Sequence, residues 1–157
     1  MQAMAGDLAK MGPIFAQVSP AEWVAKGAPD AYVRQLQSTQ ASMRGLIAAT
    51  EKLAREPEKL STALDAFFQM ERMELLIGSL LDGIRRYQSS ELADTLSRSF
   101  AENTVHRDRL RQHIRDLAST REQEYSIINA EAQRCRGTIL QQQPSASPKK
   151  PTKPNKK

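Results

Sequence analysis

The sequence predicts an all-α protein: an antiparallel three-helix bundle running up, down, up, with a short leading helix, a long protruding C-terminal helix and a disordered basic tail. Three observations carry this. Apolar residues recur at steps of three and four over three long stretches, the period of one helix face. Pro, Gly and Ser punctuate those stretches where helices start and stop. Aromatic residues are only 5% of the 157, which suits long helices with narrow apolar stripes.

Residues 1–18 are expected to form a flexible extension without a sustained period, leaving 19–141 for the helical domain and 142–157 for the tail. The leading helix is expected at "SPAEW", where Ser19 is a cap residue, Pro20 suits the first helical position and Glu22 completes a capping box. Gly27 ends it, and Trp23 pins it to the bundle.

The second helix is expected from Pro29 to about Arg55, because Pro57 disfavours helix at the residue before it. Its stripe is Val33, Leu36, Met43, Leu46, Ile47 and Leu53, with Gln40 and Thr50 at polar stripe positions. The third helix opens with Pro57 in its first turn. Its apolar residues (Leu60, Leu64, Phe67, Phe68, Leu75, Leu76, Leu80, Leu81, Ile84) cover more than one face, which places it between neighbours. Gly78 is expected to nest against Ser99 and Phe100.

Ser89 or Ser90 caps the fourth helix, which meets no Gly or Pro until Gly137. A helix from Glu91 to Arg136 would be about 70 Å long. Short connections make the three long helices antiparallel neighbours. The third helix then covers only about 31 residues of the fourth. Beyond Thr120 the apolar stripe continues without a partner, so the helix either breaks at Ser119-Thr120 and folds back or meets a second chain.

The tail, "QQQPSASPKKPTKPNKK", holds four prolines and no large apolar residue, so it cannot bury enough surface to order itself. It carries five lysines, Lys149, Lys150, Lys153, Lys156 and Lys157, and no acid. Removing these from the 23 basic side chains leaves 18 against 18 acids, so the net charge of +5 belongs to the tail. A neutral body argues against a nucleic-acid-binding fold. Ser147-Pro148-Lys149-Lys150 resembles, over four residues and once, the Ser-Pro-Lys-Lys repeats of linker-histone tails that bind AT-rich minor grooves. That resemblance implies a non-specific polyanion partner. Five lysines on duplex DNA would give a salt slope of roughly −4 to −5, and anionic lipid would attract them as well.

Catalytic and metal constellations fall short. His106-Arg107-Asp108 matches the triplet of the protein-kinase catalytic loop, but His113 stands where that loop needs Asn, and no glycine-rich loop or Asp-Phe-Gly occurs. Glu102, His106, Arg109 and His113 share an arc of about 60° on a helix. No Glu-x-x-His occurs, and Arg109 repels a cation from that face. Both histidines are expected to act as boundary packing residues or a pH-sensitive contact. Cys135 is the only cysteine; a buried thiol is expected there, or an intermolecular disulfide if two last helices run parallel. Among the arginines, Arg107 and Arg121 lie in the stripe and need carboxylates, with Glu71, Glu74 and Asp82 within reach across the bundle. Asp108 and Asp116 are expected to pair with nearby arginines of their own helix.

The expected function is therefore non-enzymatic, with no cofactor, metal or small-molecule substrate. The sequence reads as a helical interaction or scaffold protein, pairing with itself or another helical protein through Leu117, Arg121, Tyr125, Ile128, Ala132, Cys135 and Ile139. One alternative is a nucleic-acid-associated protein with a phosphate-binding lysine tail. Another is a secreted or periplasmic helical protein whose signal peptide is missing. Without a signal segment upstream, the default expectation is cytoplasm.

Overall fold

The computed structural model describes residues 2–102 and 104–142, and among these residues the protein is all-α. Seven helical segments follow one another: α1 (Gln2–Ala9), α2 (Gly12–Phe15), α3 (Pro20–Ala25), α4 (Ala31–Arg55), α5 (Leu60–Tyr87), α6 (Ser90–Ala101) and α7 (Thr104–Gln142). The tail expected over 142–157 lies outside the described residues from 143 onward. By its contacts the chain divides into two units, Met1–Ser119 and Thr120–Lys157.

Within the first unit, α4 and α5 form an antiparallel hairpin. Gly45 faces Gln69 while Gly83 faces Tyr32, so an advance along α4 is a retreat along α5. The turn between them is closed by Lys59 N–H donating to the Glu56 carbonyl at 3.2 Å. Thr62 Oγ1 donates to the Lys59 carbonyl at 2.8 Å. Helix geometry therefore begins at Leu60, one turn later than Pro57 suggests. The following column retraces α5 in turn: Asp94 meets Arg85, Arg107 meets Glu74, and the Arg111 guanidinium lies over the Phe67 ring.

That column is described as α6 up to Ala101, with a turn at Glu102, and as α7 from Thr104. From Thr104 the helix runs on through Ser119-Thr120, so the break that was one of the two expected alternatives there does not occur.

The N-terminal residues depart furthest from expectation. They form α1 and α2 instead of a loose extension, and Met4, Leu8, Met11, Phe15 and Val18 are all buried in the core. Their steps of four, three, four and three are a helical stripe that the sequence carries in plain view. Gly6 and the Gly12-Pro13 pair disguise it by lowering helix propensity. Ala5 lines a recess with Thr50, Glu51, Ala54 and Arg55 at one end of α4. Gln17, Ser19 and Trp23 meet Gln88 at the opposite end. The segment thus runs antiparallel to α4 and forms a fourth column beside the expected three. Each fully buried side chain of this kind contributes about 1.5–3 kcal/mol.

The α5 seam also differs from the expected arc. Ala63, Ala66, Met70, Met73, Ile77, Leu80 and Ile84 face inward. Phe68 and Leu75, placed in that arc by their type, are 63% and 76% exposed. Gly78 has open space around it and does not nest against Phe100. Gly83 is the close-approach position: a Cβ there would lie 2.6 Å from Tyr32 Cε1 and 3.0 Å from Trp23 Cζ3.

Candidate functional site

Polar and aromatic side chains close both ends of the first unit. At one end Trp23, Tyr32 and Tyr87 contact one another, with ring centroids 5.6 to 6.3 Å apart. Gln88 ties this cluster to the chain. Its Oε1 accepts from Ser19 N at 3.1 Å and Trp23 Nε1 at 3.0 Å, and its Nε2 donates to the Gln17 carbonyl at 2.6 Å. Ser19 stands at the cap position of α3, but its side chain makes no cap bond, so the expected capping box does not form. Ser89 does cap α6, accepting from Leu92 N at 3.3 Å. Gly27 ends α3 at a φ of 91°, the left-handed region that glycine adopts freely. Sequence reasoning assigned Gln88 no role, since a lone glutamine in a turn carries no local signal.

The histidines are likewise structural. His106 Nε2 lies 3.1 Å from Asp7 Oδ2 and joins α7 to α1. His113 Nε2 lies 2.8 Å from the Pro57 carbonyl, at the turn that starts the α5 column. Lys10 Nζ donates to Asp7 at 2.7 Å, and this bond, followed by the His106 contact, holds the Asp7 carboxyl below its ordinary value. The same pairing raises Lys10. Glu56 is lowered and Lys59 raised by their mutual hydrogen bond. Among the described residues no group of three His, Cys, Asp or Glu is placed to hold a metal ion. No described helix is long and apolar enough to cross a membrane.

The arginines divide in two. Arg107 finds the carboxylate its position demands: Nη1 donates to Glu74 Oε2 at 2.6 Å across the columns. Its Nε, and Oε1 of the neighbouring-turn acid Glu71, are buried without a partner among the described residues. Arg121 instead pairs along its own helix with Glu124 at 2.7 Å, in solvent. Gln112, which the sequence did not single out, accepts from Arg115 and donates to Asp116 at 2.7 Å.

What remains without a structural task is the apolar face of the second unit. Of the seven residues expected to mediate association, Leu117 belongs to the flank of the first unit's core. The other six lie on one continuous helix at steps of four, three, four, three and four, the spacing of a heptad seam. Tyr125 is 72% exposed, Ile128 64% and Ile139 60%. Cys135 is a free, exposed thiol, not the buried one expected. Ala132 is half-buried and Arg121 exposed. The lysines of the tail lie outside the described residues. No protein-family model matches this chain, and no curated protein or solved structure matches it either.

Proposed function

We propose that this protein is a helical interaction module that self-associates through the face of α7 carrying Arg121, Tyr125, Ile128, Ala132, Cys135 and Ile139. The exposure of Tyr125, Ile128 and Ile139 at heptad spacing carries the reading. In the first unit the seam residues Leu46, Leu53, Met70, Met73, Ile77, Leu80 and Ile84 are instead exposed by 2% or less. Three large side chains from each of two chains, at about 1.5–3 kcal/mol apiece, supply roughly 9–18 kcal/mol. Association opposes this with about 4–15 kcal/mol. The balance favours a reversible dimer in preference to an inseparable one.

Light scattering on size-separated protein tests the reading. The wild type should elute with the mass of a dimer, and Ile128→Asp with that of a monomer whose circular dichroism and melting are unchanged. A wild-type monomer at all accessible concentrations would overturn it. The five lysines of the tail favour a second reading, a polyanion contact. Its signature is salt-sensitive retention on DNA that disappears when residues 142–157 are removed.

A further inference from the structure

We infer that the two copies close on each other antiparallel, in the register that places Ile128 of one copy opposite the partner's Ala132. This rests on the self-association proposed above and adds direction and partner residues to it. In a heptad seam two helices can meet parallel, layer facing identical layer, or antiparallel, with unlike positions facing. The parallel arrangement stacks Arg121 on the partner's Arg121, Tyr125 on the partner's Tyr125 and Ala132 on the partner's Ala132. Like charges then meet in the seam, and the large Tyr125 and Ile128 layers are followed by the small Ala132 and Cys135 layers.

The antiparallel arrangement matches sizes. Tyr125 lies opposite the partner's Cys135, and Ile128 opposite the partner's Ala132, so these two bulky groups each meet a small one, twice each by symmetry. Arg121 falls at the edge of the overlap opposite the partner's Ile139, where its ion pair with Glu124 at 2.7 Å stays in solvent. Charge favours this register on one flank and opposes it on the other, where the exposed Glu131 faces the partner's Glu131 once. Glu122 and Arg136, both exposed, flank the seam and face each other across the two chains, again twice. A slip of one heptad either way separates that pair and shortens the overlap.

The native thiol makes the direction measurable. In the parallel arrangement the two Cys135 residues share a layer, within reach of a disulfide. In the antiparallel register they lie about 15 Å apart along the axis, at ten residues of helical rise. A disulfide needs Cα atoms within about 7 Å. The experiment is copper-phenanthroline oxidation of the full chain followed by non-reducing electrophoresis, with light scattering on the unoxidised samples. Wild type should score as a dimer by mass and remain uncrosslinked. Tyr125→Cys, keeping Cys135, should crosslink, and Tyr125→Cys with Cys135→Ser should not. If the wild type is a dimer that crosslinks through Cys135, self-association survives and the antiparallel register is overturned. A wild-type monomer removes both.

A charge exchange guards against Tyr125→Cys weakening the dimer. Glu122→Arg should raise the dissociation constant roughly fivefold to tenfold, and adding Arg136→Glu should restore it to within about twofold. Failure of that restoration in a dimeric protein also overturns the register.

Discussion

One helix passes through two very different environments. Up to Ser119, α7 buries Leu110 completely and packs Ile114 and Leu117 against the core of the first unit. From Thr120 the same kind of spacing presents Tyr125, Ile128 and Ile139 to solvent. The pattern of residues does not change at that boundary; the supply of neighbours does. His113 already sits beside Pro57, at the turn that precedes the first residue of α5. Apolar periodicity therefore specifies a face, and the lengths of neighbouring elements decide whether that face is core or interface. The first unit shows the reverse lesson at its N-terminus, where a stripe interrupted by Gly12-Pro13 is nevertheless recruited into the core.

The comparison predicts a steep difference in mutational cost between the two regions. Phe15→Ala should destabilise the first unit by about 3–5 kcal/mol, as truncation of a fully buried ring does. Tyr125→Ala, compared in dilute protein, should change unfolding by no more than about 0.5 kcal/mol. Urea unfolding followed by circular dichroism measures both. A Phe15→Ala cost below about 1 kcal/mol would return the N-terminal residues to the loose extension that their glycines and proline suggest.

Two glycines of α5 sharpen the contrast between inner and outer faces. Gly83→Ala drives a methyl against Tyr32 and Trp23 and should cost about 1–3 kcal/mol. Gly78→Ala meets open space and should stabilise by about 0.5–1 kcal/mol, since alanine loses less backbone entropy in a helix. Thermal melts of the pair should move in opposite directions; equal shifts would mean that Tyr32 yields freely.

The smallest expected effect concerns the clasp between α1 and α7. Folding lowers the Asp7 carboxyl through Lys10 first and His106 second. Its contribution is therefore complete above the ordinary carboxylate range near about pH 4. It is lost as pH falls through the lower folded value. Protection of α1 amides against hydrogen exchange should decline over that acidic window in the wild type. In Asp7→Asn it should be weaker at neutral pH and flatter with pH. Identical profiles would show that the apolar contacts of Met4 and Leu8 alone hold the helix.

Sequence by itself determined the all-α class, the end of α4 at Arg55, a serine cap at Ser89 or Ser90, the Gly27 stop and the need of Arg107 for a carboxylate. It also placed the end of partner coverage at Thr120, by comparing helix lengths. These are local or arithmetical properties, set by propensity, capping chemistry and rise per residue. Tertiary structure alone decided that residues 4–18 join the core, that α5 turns its Ala and Met residues inward, and that Gly83 is the close contact. It alone made Gln88 the tie between three segments and left Cys135 exposed. Each of these depends on which surface lies opposite, and burial is a property of pairs of surfaces that one stretch of chain does not contain.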